Sequence, residues 1–408
     1  MAATLTTRRT IEVSVPFFNL SRQYAQLAGE LEPAIKEAFA SCAYIGGKYV
    51  AAFEQELAGY LGVKHAVGVG NGTDALMLAL RACNVRAGDE VITTPFSFFA
   101  TAEAIAAIGA TPVFVDVLEG DFNMDPALIE AAITAKTKAI LPVHIFGQPA
   151  DLGAIVPIAR KHGLKVIDDA AQAIGAEIGG KRVGGFADAT TWSFYPTKNL
   201  GACGDAGMVT TNDDGVATVL RALREHGAAK NGAIARGILD GVVEDGLEGA
   251  PADALYNPFK YFNYIIGYNS RLDGVQAAAL SVKLRHLDAY NAKREEISDF
   301  YTGALKGAGG LATPPRSTAA KRSCWHQYAI RVGDKKGMVA YLGEQAIGAG
   351  EFYPVPLHLQ KAFAGLNYGE GSLPVAETLC RQTVCLPIFP ELSQEELEAV
   401  AIAVKSFL

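Results

Sequence analysis

The six cysteines of this 408-residue chain (Cys42, Cys83, Cys203, Cys324, Cys380 and Cys385) form no C-x-x-C pair. That argues against a zinc site or a redox dithiol, and for reduced thiols in a cytoplasmic protein. Charged residues are scarce, at 19%, and no run of Lys or Arg occurs. With 36 basic residues against 43 acidic ones the net charge is −7, so no nucleic-acid-binding face is expected. Any anionic ligand must be held by local groups and not by the global field. No uninterrupted apolar stretch approaches the ~20 residues of a membrane span. Arg8 and Arg9 are not followed by the apolar segment of a secretory leader. What is plentiful is apolar and turn-forming: 50% of residues are hydrophobic, and 43 glycines and 18 prolines follow no G-X-Y period. This is the composition of a folded, turn-rich protein. The length suits two to three domains at about 150 residues each. Such a core needs neither disulfide nor metal.

From Val67 to Thr211 short β-branched runs alternate with alanine-rich stretches. Strands are predicted at Ala66–Val69, Glu90–Thr94, Pro112–Asp116, Ala139–Val143, Lys165–Asp168, Thr190–Phe194 and Met208–Thr211. Helices are predicted between several of them, as at Asp74–Cys83, Ala100–Ile108, Pro126–Ala132 and Ile155–His162. This rhythm predicts an α/β fold built on a mostly parallel sheet covered on both faces. Ligands in such sheets gather at the carboxyl ends of the strands. Leu20–Ala40 and Lys48–Leu61 have helical apolar spacing. The stretch 227–258, rich in Gly, Ala and Asp, is predicted to be a long surface excursion. Helix resumes at Gly274–Leu287. Beyond it lie a long helix, a strand near Tyr328–Val332 and a last helix at Ser393–Phe407, with Ser393 and Glu396 spaced as a capping box. The predicted organisation is a tail at 1–14, a large domain at 15–287 and a smaller α/β domain at 288–408.

Three segments could carry chemistry. In GVGNGTDALMLAL (68–80) a glycine-rich turn feeds a helix start, which suits phosphate, although a plain strand–helix turn reads the same way. In VIDDAAQA (166–173) Asp168 and Asp169 end an apolar strand and point to opposite faces, so one can meet a ligand, or one is simply a helix cap. In SFYPTKNLGACGDAG (193–207) Lys198 sits among Tyr, Pro and Leu. It is either a surface charge or an amine whose pKa burial lowers toward a nucleophile. Together these segments match what pyridoxal 5′-phosphate requires: a phosphate-binding helix start, a carboxylate for the pyridine nitrogen and a lysine to hold the aldehyde.

The sequence resembles the DegT/DnrJ/EryC1/StrS sugar aminotransferases, of the aspartate-aminotransferase fold (fold type I), over nearly the whole chain. The motifs that carry the resemblance are NGTDAL (71–76), FSFFAT (96–101), IDDAAQA (167–173), SFYPTKNLG (193–201), GDAG (204–207) and GYNSRLD (267–273). It implies that Lys198 links covalently to pyridoxal 5′-phosphate and that Asp169 binds the pyridine nitrogen. Gln172 would meet the phenolic oxygen, and Phe98 would stack on the ring. Gly72, Thr73 and Ser193 would hold the phosphate, with a backbone N–H from Asp74. Asn269 would reach the phosphate from a second subunit, so a homodimer with shared active sites is implied. Arg271 would lie near the substrate, although an ion pair with Asp273 is the plain alternative. The implied reaction moves an amino group from L-glutamate to a nucleotide-linked keto-sugar, with the GYNSRLD form resembling the 3-keto branch.

One departure stands out. Relatives often carry His-Tyr-Pro where this chain has Phe352, Tyr353 and Pro354, which leaves His358 and Gln360 in PLHLQ as candidates for the nucleotide diphosphate, or as packing, with Tyr353 a further candidate substrate contact. His226 lies in REHG, where a cation at a helix end reads as well as a site residue. Three rival readings remain open from residues alone. One is a cofactor-binding sensor of the same fold that does not transaminate. Another is a sugar dehydratase, disfavoured because relatives of that kind carry histidine in place of Lys198. The last is a nicotinamide dehydrogenase, supported only by the glycine-rich turn.

Overall fold

β-Branched runs of four or five residues are too short for helices and, buried on both faces, form the interior strands of a layered sheet. The computed structural model, which describes residues 13–243 and 261–408, assembles seven of them into one sheet. They are β1 (His65–Val69), β2 (Glu90–Thr93), β3 (Thr111–Phe114), β4 (Thr137–Leu141), β5 (Lys165–Asp169), β6 (Ala189–Ser193) and β7 (Gly207–Thr211). The order across the sheet is β1-β7-β6-β5-β4-β2-β3. The pairs β2–β3, β2–β4, β4–β5 and β5–β6 are parallel; β7 runs antiparallel to both β1 and β6. The expectation of a mostly parallel sheet therefore holds, with β7 as the exception.

Twelve helices matter here: α1 (Leu20–Ala40), α2 (Gly47–Leu61), α3 (Gly72–Ala82), α4 (Ala100–Ala107), α5 (Leu152–Lys161), α6 (Asp214–Leu223), α7 (Ala229–Asp240), α8 (Gly274–Leu284), α9 (Leu287–Ala304), α10 (Lys335–Glu344), α11 (Pro374–Gln382) and α12 (Gln394–Phe407). One apolar layer joins Val67, Leu78, Ile105 and Leu220; a layer on α2 joins Phe53, Leu57 and Trp192; another joins Ile140, Ile155 and Val166. The C-terminal part forms a second, antiparallel sheet of residues 311–312, β8 (Tyr328–Val332) and β9 (Thr383–Leu386). Ile330, Val384 and Val400 are fully buried there. The capping box is present: Ser393 Oγ accepts the Glu396 N–H at 3.2 Å, and Glu396 Oε2 accepts the Ser393 N–H at 2.8 Å.

Two expectations need amendment. The 227–258 stretch is not all irregular, because α7 occupies residues 229–240. Its glycine misleads: a Cβ on Gly232 would lie 2.0 Å from the Gly227 carbonyl oxygen, so glycine here permits close packing against the turn that precedes α7. The rest of that stretch from residue 244 on, and the predicted tail apart from residues 13 and 14, lie outside the described residues. The start of the predicted large domain also belongs with the C-terminal part. Val15 exchanges backbone hydrogen bonds with Ala346 (3.0 Å) and Gly348 (2.8 Å), and Arg22 forks onto Glu396 at 2.6 and 2.7 Å.

The two sheets meet through Asp116. Its carboxylate accepts the N–H groups of Val375 and Ala376, both at 2.9 Å, and so caps α11 from outside.

Candidate active site

The carboxyl ends of β1, β5 and β6 converge on one cavity of about 600 Å³. At the first, the chain turns from β1 into α3. Asn71 is the N-cap, and its Oδ1 accepts the Asp74 N–H at 2.8 Å. The N–H groups of Gly72 and Thr73, the first two of the helix, are left without an intrahelical acceptor, and both residues line the cavity. A Cβ on Gly72 would sit 2.7 Å from the Ser193 Cβ, so glycine lets the end of β6 close against the helix start. The amide expected of Asp74 is therefore a correction: it is already engaged by Asn71, and the Asp74 carboxylate instead accepts the Ser270 hydroxyl at 2.6 Å.

At the end of β5 the two aspartates part as the strand alternation requires. Asp169 lines the cavity at 5% exposure; its Oδ2 accepts the Thr101 hydroxyl at 2.8 Å and its Oδ1 the Ala171 N–H at 3.2 Å. Burial pushes its pKa up, and the Thr101 bond, the Ala171 bond and the Lys198 charge oppose that rise. Asp168 faces the other side, fully buried, 3.7 Å from His144 Nε2.

After β6 the chain loops through Lys198, whose N–H bonds the Tyr195 carbonyl at 2.8 Å. The side chain is partly buried and lines the same cavity as Asp169. Burial pushes the amine's pKa down to about 8, and Asp169 partly opposes the fall. At neutral pH such an amine carries a usable free-base fraction, unlike a surface lysine. The surface-charge alternative is thereby set aside.

The remaining walls are aromatic and amide. Phe98 stands at the mouth, 60% exposed, its ring 6.4 Å from that of Tyr353. Gln172 is held at both ends: its Oε1 accepts the Phe146 N–H at 2.7 Å, and its Nε2 donates to the Tyr353 hydroxyl at 2.9 Å. Burial raises the Tyr353 phenol well above its ordinary range, so it stays protonated.

Gly72, Thr73, Phe98, Asp169, Gln172, Ser193, Lys198 and Tyr353 thus share one cavity. Asn269, Arg271 and His358 are not part of its lining. Asn269 is exposed, and Arg271 pairs with Glu225 at 3.2 Å, not with Asp273. His358 is 1% exposed and bonds Glu377 at 3.2 Å beside Phe114 and Tyr368, so of its two readings the packing one fits. His226 makes its backbone bond to Tyr268 and is likewise absent from the lining.

Among the lining residues that the sequence reading does not single out, Thr101 and His326 bear on the chemistry. Thr101 closes FSFFAT, and its hydroxyl orients Asp169; a hydroxyl one helical turn after Ser97 was the available signal, since Ser97 and Thr101 bond at 2.8 Å. His326 follows Trp325 just before β8 and is 8% exposed. A histidine beside one of only two tryptophans was the available clue.

Residues 26–405 match the model of the DegT/DnrJ/EryC1/StrS aminotransferase family. A protein named pleiotropic regulatory protein, from Geobacillus stearothermophilus, is 46% identical over 97% of this chain and 99% of its own. The UDP-N-acetyl-3-dehydro-alpha-D-glucosamine 3-aminotransferase of Acidithiobacillus ferrooxidans is 40% identical over 98% and 99%. Among solved structures, DesV of S. venezuelae superposes with a TM-score of 0.87 at 38% identity, covering 97% of this chain and 98% of that one. NtdA from Bacillus subtilis, solved with bound cofactor PMP, gives 0.83 at 30% identity, covering 97% and 86%.

Proposed function

The chain belongs to the DegT/DnrJ/EryC1/StrS aminotransferase family, and we propose that it transfers an amino group from L-glutamate to a nucleotide-linked 3-keto-sugar, using pyridoxal 5′-phosphate, in amino-sugar biosynthesis. The observation that carries the reading is the pairing of an amine and a carboxylate, Lys198 and Asp169, across one cavity beside a helix start with two uncommitted amides. The relative that acts on a UDP-linked 3-dehydro sugar supports the acceptor class.

The residues present fit the cofactor. The Lys198 amine has no hydrogen-bond partner among the described residues, and Gly72, Thr73 and Ser193 line the same cavity as that amine. Gly72, Thr73 and Ser193 would hold the phosphate, Asp169 the pyridine nitrogen, Gln172 the phenolic oxygen, and Phe98 the ring face. The cofactor supplies an electron sink that makes the C–H bond next to the transferred nitrogen acidic. Lys198, a base near neutral pH, would take that proton and return it on the other side of the exchange. Asp169, oriented by hydrogen bonds from Thr101 and Ala171, would hold the ring nitrogen protonated.

We further propose a cytoplasmic homodimer. Asn269, exposed and outside the cavity, fits a residue that serves a second copy. Phe39, Ile45 and Ile266 add exposed apolar surface, and Ile45 bridges to Asp273, two residues beyond Arg271. The six free cysteines fit a reducing compartment.

The deciding experiment is the Lys198→Ala variant. It should lose the visible absorbance of bound cofactor together with turnover, and normal turnover in that variant would end the assignment. A second reading, a cofactor-binding regulator, is favoured by the name of the Geobacillus relative. Added L-glutamate should convert the cofactor of an enzyme to its amine form, whereas a regulator leaves the spectrum unchanged.

A further inference from the structure

A chain of two side-chain amides, Asn291 partly buried and Asn199 buried, reaches the cavity and ends on His326. The Ile174 carbonyl accepts Asn291 Nδ2 at 3.0 Å, which orients that amide and turns Asn291 Oδ1 toward Asn199. Asn199 Nδ2 then donates twice, to Asn291 Oδ1 at 2.9 Å and to the Cys324 carbonyl at 2.7 Å. Both Asn199 protons are engaged, so its Oδ1 is an acceptor only. That oxygen lies 3.1 Å from His326 Nδ1, which must therefore carry the proton. Nε2 is left as a lone pair. It has no hydrogen-bond partner among the described residues, yet it is not among the side-chain atoms sealed from solvent without a partner, and His326 lines the cavity. The imidazole also stays neutral: burial, then the charges of Lys198 and Arg294, keep its pKa well below the ordinary value.

A bare lone pair in a cavity meets a donor and repels an anion. The carboxylates of an amino-acid donor and the oxygens of a diphosphate offer only acceptors, whereas a sugar ring carries several O–H donors. We propose that His326 is a substrate-positioning residue whose Nε2 accepts a hydrogen bond from a hydroxyl of the sugar bound in the cavity, with Asn199 fixing the tautomer that makes this possible. The proposal rests on the nucleotide-sugar reading above, and it assigns the diphosphate to other groups.

The probes are UDP-N-acetylglucosamine and dTDP-glucose, unreactive sugars carrying hydroxyls, titrated calorimetrically into the holoenzyme. The wild-type protein should bind at least one of them. His326→Phe should weaken that binding about tenfold, the equivalent of one hydrogen bond. His326→Gln, which keeps an acceptor oxygen, should weaken it less, with unchanged melting temperature. In histidine-¹⁵N-labelled holoenzyme the Nε2 resonance, assigned by its loss in His326→Gln, should move on probe addition; this arm decides if the Phe variant does not fold. Equal affinity in all three proteins, or an Nε2 resonance that stays put while the probe binds, overturns the proposal. Failure of the wild-type protein to bind either probe removes the nucleotide-sugar reading itself, and the proposal with it.

Discussion

The Thr101 hydroxyl donates to Asp169 Oδ2 at 2.8 Å, and Ser97, 2.8 Å from Thr101, donates to Thr101 in turn. The carboxylate is thus aimed by a relay of hydroxyls, and among the described residues no guanidinium pairs with it. Asp169→Asn keeps the shape and removes the charge. Because Asp169 holds the Lys198 pKa up, the variant's Lys198 should titrate below the wild-type value of about 8. Turnover should fall by at least about a hundredfold. Steady-state kinetics and the pH dependence of cofactor capture test the two effects separately.

Lys198 itself sets a pH window. Its folded-state pKa is depressed to about 8 from the ordinary 10.5, so the amine is neutral above pH 8. Cofactor capture by stripped protein should rise with pH and level off just above 8. A rate still climbing at pH 10 would contradict the burial argument. The unfolded chain binds more protons than the folded one between those two values, so the stability of the stripped protein should increase with pH across that interval.

Gly72 and Ser193 touch where the phosphate is proposed to sit. Gly72→Ala places a methyl 2.7 Å from the Ser193 Cβ and should lower cofactor retention after dialysis, even though alanine favours a helix. Ser193→Gly in the same chain removes the clash and should restore part of the retention. A Gly72→Ala protein that keeps its cofactor fully would show that this corner does not hold it.

Ser393 and Glu396 offer a stability test away from the cavity. Ser393→Ala should cost about 1 kcal/mol in urea unfolding and leave turnover unchanged. Glu396→Ala should cost more, since it removes the carboxylate half of the capping box and also leaves Arg22, bonded at 2.6 Å, without its carboxylate partner.

Much of this molecule was readable from its residues, for identifiable reasons. Strand β5 and its two aspartates are legible because the alternation of a strand fixes which carboxylate faces which side. Lys198 is legible only in combination, because its own segment also reads as a surface charge until the glycine-rich helix start and the strand-end aspartate are set beside it. Helix α7 was not, because Gly232 reads as a breaker until the Gly227 carbonyl beside it is seen. The Asp74 amide was misassigned because a cap made by Asn71 competes for it, and only coordinates show which acceptor wins. His326 was missed because its role depends on Asn199 and Asn291, far away in the chain.

Asp116 gives both carboxylate oxygens to the start of α11, and Ala376 and Leu379 of that helix share a core with β1 and α3. The C-terminal segment is therefore not a detachable lobe. Its helix borrows a terminus from the other sheet, so loosening either one removes hydrogen-bond partners from the other.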